Sequence, residues 1–260
     1  PVFAYVSENG TIPFTTITTG VMNMAVKKAG AIIKLPRELL LLVNAAESFF
    51  RSALVRGAAL TEDAAGLEGI GGSTTPKGII RWDRSATDVP NIDKVTLHTA
   101  TGTVAANGDT LGPNDPALMI AALEDANYPD GASAFLMRPR EWQFIRNTRA
   151  GGSTTTDGNF LFNFDRGIGF TVPKSIEGVN VFTSTQINKT SIKGTGTTLT
   201  YVLAGDFKQV YLGRVGTIEL ASDTSLGFAE EQVWIRAIYR HDVSLAQPSA
   251  MVICPQLLNG

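Results

Sequence analysis

The segment from Pro36 to about Leu60 constrains the fold most strongly, because its residue pattern is that of one long helix. Apolar residues recur there at helical spacing, at Leu39, Leu42, Val43, Ala46, Phe49, Phe50, Ala53 and Leu54. Pro36 suits the first turn of a helix, and Glu47 and Arg51 stand four residues apart in the order that favours an ion pair. Because the apolar face is wide, we expect this helix to pack against protein on more than one side.

The residues before this helix predict a two-stranded ribbon. Val2–Val6 and Ala31–Ile33 consist largely of strand-forming residues, and Glu8, Asn9 and Gly10 predict a turn between them. Few of these residues could form a core of their own, and an isolated pair of strands is marginally stable in water. We therefore expect the ribbon to need a partner surface, which is a first indication of assembly.

The rest of the chain predicts an α+β fold with its strands concentrated late. A glycine-rich break from Gly66 to Gly78 follows the long helix, and Ile79-Ile80 then predict a short strand. Two further helices are predicted, at Ala117–Asn127 and from Pro139 to about Thr148. Strands are predicted at Ala134–Met137, Val179–Thr183, Thr200–Ala204, Gln209–Leu212, Thr217–Leu220, Val233–Tyr239 and Ser249–Ile253.

Composition excludes several classes of protein. The formal net charge of the 260 residues is −2, and no cluster of Lys and Arg gives the electrostatic footprint of a nucleic-acid-binding protein. No apolar run reaches the eighteen or so residues that would predict a membrane-spanning helix. Cys254 is the single cysteine, so no intrachain disulfide can form, and its apolar surroundings predict a small buried hydrophobe.

Metal and nucleophile motifs are missing from the sequence. The chain has two histidines and one cysteine, and no spacing such as Cys-x-x-Cys or His-Glu-x-x-His. His98 lies in a polar stretch and is expected in solvent, whereas His241, between Arg240 and Asp242, is expected to be paired or on the surface. Ser73 comes closest to a nucleophile, but it follows a helix and lies outside any Gly-x-Ser-x-Gly motif.

The glycines and paired carboxylates give no better catalytic candidate. A dinucleotide fingerprint needs a strand before its glycines and a helix after them, and the order at Gly66–Gly72 is reversed. The adjacent carboxylates Glu62-Asp63 and Glu230-Glu231 cannot face each other on a helix or a strand. We therefore expect no catalytic residue, no cofactor-binding residue and no metal site, and a structural protein that is not an enzyme.

Five short motifs follow the ribbon and the long helix in order. They are Thr75-Pro76-Lys77-Gly78-Ile79-Ile80, Phe135-Leu136-Met137-Arg138-Pro139-Arg140-Glu141-Trp142, Ile176-Glu177-Gly178-Val179-Asn180-Val181, Ala204-Gly205-Asp206-Phe207, and a closing segment from Phe228 to Ala250 with Arg236 and Arg240 four residues apart. Taken together, this order resembles the major capsid proteins of tailed bacteriophages, which have the Hong Kong 97-like fold.

The resemblance implies an α+β chain with three parts. Residues 1–34 would form the extended β-hairpin called the E-loop, which would lie over a neighbouring subunit. Residues 35–81 with 209–240 would form a peripheral domain built on the long spine helix. Residues 82–208 with 241–260 would form a mixed α/β axial domain.

The resemblance also implies a function. The chain would be a structural subunit of an icosahedral capsid that self-assembles into hexamers and pentamers around a double-stranded DNA genome. Its partners would be other copies of itself, with scaffolding, portal and decoration proteins and weak non-specific contact with the packaged DNA, and no membrane. It would be found in the virion, and in the host cytoplasm during assembly.

Two departures from the family pattern lead to further expectations. Some members cross-link covalently through an E-loop lysine, but no Lys lies between Val2 and Val26, and Ile238-Tyr239 stand where the assisting glutamate would be. We therefore expect no self-catalysed cross-linking. The sequence begins at Pro1, without the arm that precedes the ribbon in that family, and we expect assembly to require that arm.

Three alternatives remain at the level of the sequence. An encapsulin-type bacterial compartment shell has the same fold and would enclose a cargo enzyme in place of a genome. An α+β hydrolase would need a nucleophile that no motif predicts. An adhesin-like β-rich module is disfavoured by the long helix and the absence of disulfides.

Overall fold

The structure is a computed structural model that describes Tyr5, Glu8 and residues 22–42, 46–82, 96–97, 107–112, 114–126, 128, 131–148, 174–225 and 227–258. These residues form four α-helices: α1 (Arg37–Leu42), α2 (Ala46–Glu68), α3 (Asp115–Asp125) and α4 (Pro139–Asn147). The first strands are β1 (Lys27–Pro36), β2 (Thr96–Leu97), β3 (Ala134–Met137), β4 (Ser175–Ile176), β5 (Val179–Thr183) and β6 (Ser191–Lys193). They are followed by β7 (Gly196–Gly205), β8 (Val210–Arg214), β9 (Glu219–Asp223), β10 (Gln232–Leu245) and β11 (Met251–Leu258).

A four-stranded antiparallel sheet is organised around β10. Strand β1 pairs with one edge of β10 in an unbroken register from Lys27 opposite His241 to Pro36 opposite Gln232. Strands β8 and β9 pair with the other edge. Because side chains alternate along a strand, Ile235 and Ala237 share one face of β10, where they form a buried cluster with Leu54 of α2.

The second sheet has seven strands and carries two cores. Its order is β2-β11-β7-β3-β5-β4, with β6 paired to β7. Alternation along β7 divides its apolar residues between the two faces: Val202 and Ala204 pack with residues of α3 and α4, and Tyr201 and Leu203 pack in the other cluster. A sheet with both faces covered places its longest strands at the centre of the molecule.

The predicted α+β class is confirmed, and most predicted elements are found within a few residues of their expected positions. The strand predicted at Ala31–Ile33 is confirmed by β1, which pairs with β10. The two-stranded ribbon itself stays a prediction, because Val2–Val6 lies outside the described residues except for Tyr5. The first helical residue is Arg37 and not Pro36, which ends β1.

The long helix and its exit differ from the sequence prediction in two respects. Helix α2 continues to Glu68, beyond the break predicted at Gly66, because Gly66 lies in the helix against Val243 of β10. The short strand predicted at Ile79-Ile80 is wrong, since these residues start a 3-10 helical turn. That turn places Ile79 in the core next to Leu67.

Candidate assembly surfaces

The end of the predicted ribbon that enters β1 is anchored to the four-stranded sheet. The backbone N–H of Ala25 donates to Oδ2 of Asp242 at 2.7 Å. Met24 packs against Gly213 of β8, where even a single added methyl group would meet its sulfur at 3.2 Å. Tyr5 and Glu8, nearer the start of the chain, are exposed. The residues just before β1 are therefore held against the sheet, whereas these two positions are in solvent.

Helix α2 contacts two cores and also leaves large apolar side chains exposed. Phe50 and Leu54 pack against the four-stranded sheet, and Leu67 packs in the cluster that includes Tyr201 and Leu203. Phe49, Val55 and Leu60 are exposed, by 66%, 41% and 43% respectively. Several exposed large apolar side chains on one helix are typical of a protein contact surface, so the exposed surface of α2 is the first candidate surface for assembly.

The face of the four-stranded sheet turned away from α2 is the second candidate surface. Its cationic side chains are Lys28, Lys34, Arg236 and Arg240. The Nζ of Lys34 lies 4.2 Å from the centroid of the Trp234 ring, a cation–π contact. Arg240 donates to Glu219 at 2.9 Å. Cations outnumber anions on this face, and half-buried apolar side chains lie between them.

A half-buried carboxylate joins α2 to the seven-stranded sheet. Glu68, the last residue of α2, accepts a hydrogen bond from the Tyr201 hydroxyl at 2.9 Å and another from the backbone N–H of Asn188. Burial raises the pKa of Tyr201 above its usual range, and the nearby Glu68 raises it further, so the phenol stays protonated and donates. These partners are 120 or more residues from Glu68 in sequence, and no local motif indicates the contact.

Two glycines make the exit from α2 tight. The N–H of Gly78 donates to the carbonyl of Gly69 at 2.9 Å, and the N–H of Gly71 donates to Pro76 at 3.0 Å. A Cβ at Gly69 would lie 2.3 Å from the Pro76 carbonyl oxygen, and one at Gly78 would lie 2.4 Å from the Gly69 nitrogen. The sequence predicts a flexible exit here; the structure instead has a closed loop in which only glycine fits.

His241 is not where the sequence predicts it to be. It is 2% exposed, and neither ring nitrogen has a hydrogen-bond partner among the described residues. Its ring stacks on Tyr239 at 4.9 Å, and burial lowers its pKa. The prediction of a paired or surface histidine is therefore wrong, because alternation along β10 places His241 on the face that carries Ala237 and Tyr239.

An ion pair lies beside this histidine. Arg214 donates from Nε and Nη2 to the two carboxylate oxygens of Glu62, both at 2.7 Å. The carboxylate hydrogen bonds raise the pKa of Arg214. The hydroxyl of Tyr239 donates to the Ala58 carbonyl at 3.1 Å. Residues of α2, β8 and β10 thus meet at one polar cluster, and Glu62 is an ion-pair residue and not half of an acid–base pair.

The remaining chemical candidates are separated from one another. Cys254 is fully buried, as predicted, and burial raises its pKa to about 12. Ser73 is exposed in the loop after α2, and Glu230 and Glu231 are exposed before β10. His98 lies outside the described residues. The structure brings none of the described candidates together with another into a catalytic arrangement.

The described residues contain neither a candidate metal site nor a candidate membrane-spanning helix. No group of three or more His, Cys, Asp or Glu side chains in that part of the chain is placed to hold a metal ion. None of the described helices combines the length and apolar character needed to cross a membrane.

The fold is similar to those of solved capsid and phage structures. The capsid of the native GTA particle, computed with C5 symmetry, has a TM-score of 0.73 at 17% identity, covering 98% of this chain and 80% of that chain. A structure from Microbacterium phage Oxtober96 has a TM-score of 0.67 at 14% identity, with coverages of 99% and 82%. One from Gordonia phage Cozz has a TM-score of 0.65 at 16% identity, with coverages of 98% and 78%. At these identities the similarity establishes the fold.

The family follows from the sequence itself. No curated protein matches the chain by sequence. The model of the phage capsid family, however, matches residues 1–254, nearly the whole chain. This match agrees with the resemblance in motif order. It also agrees with the long helix α2 and the two-sheet fold. The chain belongs to the phage capsid family.

Proposed function

We propose that the chain, a structural capsid subunit by its family, assembles into the hexamers and pentamers of an icosahedral shell that encloses double-stranded DNA. The observation that carries this proposal is the exposure of the large apolar side chains Phe49, Val55 and Leu60 on α2. A monomer would leave these side chains in water, whereas a closed shell offers every copy a neighbour.

The proposed domain organisation has three parts. Residues 1–34 form a ribbon that lies over the neighbouring subunit, residues 35–81 with 209–240 form the peripheral domain, and residues 82–208 with 241–260 form the axial domain. The two sheets, each with its own buried cluster, support a two-domain division. Strand β10 continues in the four-stranded sheet to Leu245, so its last residues extend from the peripheral part towards the axial part.

Other partners follow from the same proposal. A closed head needs a portal for DNA entry and a scaffold that sets its size, and decoration proteins could bind its outer surface. Packaged DNA would be held weakly and without sequence preference, in keeping with a net charge of −2. The subunit would be in the virion, after assembly in the host cytoplasm.

An encapsulin-type compartment is not favoured. The family match and the structural neighbours are to phage capsid proteins, phages and a GTA particle. A catalytic role has no support from the described residues, whose nucleophiles and carboxylates are scattered. We propose that the chain is not an enzyme.

The test is electron microscopy with sedimentation analysis of the full-length protein. Uniform shells of tens of nanometres that contain DNA are expected. The variant Phe49→Glu, which places a charge at an exposed apolar position of α2, should remain folded and fail to form shells, whereas Lys189→Glu, a charge change at a surface turn, should assemble. A protein that stays monomeric at high concentration would overturn the proposal, and shells filled with protein would favour the compartment.

A further inference from the structure

The residues that anchor the ribbon surround a buried imidazole. Lys27, the first residue of β1, is in register with His241 of β10, and Arg214 of β8 is in register with the same histidine on its other side. The next residue, Asp242, holds the Ala25 N–H at 2.7 Å. Any movement of His241 is therefore transmitted to both neighbouring strands where the ribbon enters the sheet.

Burial makes an added positive charge on this imidazole unfavourable, although the carboxylates of Glu62 and Asp242 partly offset that cost. From β1 comes Lys27 and from β8 comes Arg214, and both are cationic. From α2 comes the carboxylate of Glu62, but both of its oxygens already accept from Arg214.

On β10 itself, the carboxylate of Asp242 favours the protonated ring, but both of its oxygens already accept hydrogen bonds. Tyr239 stacks on the ring as a neutral phenol and uses its hydroxyl on α2. Asp242 accepts from Ala25 and from its own neighbour Val243, and Arg240 on the opposite face pairs with Glu219. A protonated imidazole would thus have two N–H donors, one more than the neutral ring, and neither would have a free acceptor in a site that water does not reach.

We propose that His241 is a pH-sensitive latch, which holds the base of the ribbon on the four-stranded sheet when it is neutral and releases the Lys27 end of β1 when it takes up a proton. The described part of the chain offers a bistable element for this, since β1 is an edge strand paired only with β10. Release needs only the first pairs of the ladder to separate, and the core between α2 and β10 stays intact.

The direction of the pH effect follows from the two states. In the released state the imidazole is in water and takes up a proton below its ordinary pKa of about 6.5. In the latched state burial lowers the pKa of His241. Latching is therefore complete above about pH 6.5 and weakens as the pH falls from there through the latched-state pKa, by up to about tenfold in population for each pH unit.

Hydrogen–deuterium exchange of the β1 backbone tests the latch without requiring that shells form. The full chain, assembled or not, is compared at about pH 7.5 and about pH 5.5, with rates corrected for the intrinsic pH dependence of exchange. The amides at the Lys27 end of β1 should exchange up to about tenfold faster at the lower pH, while those of β7 should not change. His241→Phe keeps a stacking ring without a titrating group and should abolish the difference.

The only other histidine provides a matched control. His98→Gln removes the second titrating imidazole of the chain and should leave the acid-induced exchange as in the wild type. In the same variant, the single remaining histidine signal in a nuclear magnetic resonance titration should titrate below the ordinary histidine range, and this reading does not depend on the folding of His241→Phe. Acid-induced exchange that persists in His241→Phe, or a His241 signal that titrates in or above the ordinary range, would overturn the latch. Neither result would bear on shell formation, which microscopy tests separately.

Discussion

Replacing Gly78 by alanine should be costly, and the structure gives the size of the effect. The new Cβ would lie 2.4 Å from the Gly69 nitrogen and 2.6 Å from both the Glu68 nitrogen and the Leu67 oxygen. All three are backbone atoms, so no side chain can move aside. The loop must open, which breaks the bonds from Gly78 to Gly69 and from Gly71 to Pro76. Each lost bond costs about 1 kcal/mol net and up to about 3 kcal/mol if a buried group stays unsatisfied, giving about 2–6 kcal/mol for the two bonds.

The same substitution at another glycine is the control. Gly57 lies within α2, and a Cβ there would meet nothing within 4 Å. Gly57→Ala should therefore stabilise the protein, by roughly 1 kcal/mol, through the higher helix propensity of alanine. The same glycine-to-alanine change should therefore lower the free energy of unfolding at Gly78 and raise it at Gly57.

Urea unfolding of the soluble subunit measures both effects, with tryptophan fluorescence as the signal. Trp82 is a local probe of the loop, since the Nζ of Lys77 lies 4.8 Å from its ring centroid. The free energy of unfolding should fall for Gly78→Ala and rise for Gly57→Ala, with unchanged dependence on urea concentration. A loss below about 1 kcal/mol for Gly78→Ala, smaller than the cost of one unsatisfied bond, would show that the loop is not closed as described.

Three further predictions concern covalent chemistry and charge. The thiol of Cys254 should resist a disulfide reagent at about pH 8 and react fully on unfolding, because its pKa is raised to about 12 by burial; rapid reaction of the native protein would contradict this. Particles boiled in detergent should run as a single band without a covalent ladder, since no Lys lies between Val2 and Val26. A double-mutant cycle of Glu62→Gln and Arg214→Gln should give a coupling of at most about 1 kcal/mol that weakens in salt, because solvent screens the largely exposed arginine; a larger, salt-independent coupling would mean that the pair is shielded from water.

Local patterns in the sequence were sufficient to predict much of the fold. The apolar spacing of the long helix and the strand at Ala134–Met137 are properties of neighbouring residues, and both elements are present. The extent of α2 could not be predicted in this way. The helix continues past Gly66 because that glycine packs against Val243, 177 residues later in the sequence, and helix propensity does not include such a contact.

The assembly surfaces and the latch also could not be predicted from local sequence patterns. Exposure of Phe49 in an apolar helix cannot be read from periodicity, because the helix is apolar on more than one side. The burial of His241 did have a sequence signal: Ile235, Ala237, Tyr239 and Val243 occupy every second position around it. The charged neighbours Arg240 and Asp242 obscured that signal. The contact of Glu68 with Tyr201 joins residues 133 apart and left no signal in either segment.

The unbroken register of β1 with β10 gives the ribbon a mechanical anisotropy. A force along the strand axis loads all ten residue pairs from Lys27 to Pro36 together, so the bonds share the tension and must fail at once. A force perpendicular to the sheet edge loads the pair of Lys27 and His241 first, and the strand can then peel one pair at a time. The ribbon should therefore withstand stretching within the plane of a wall far better than lifting away from it.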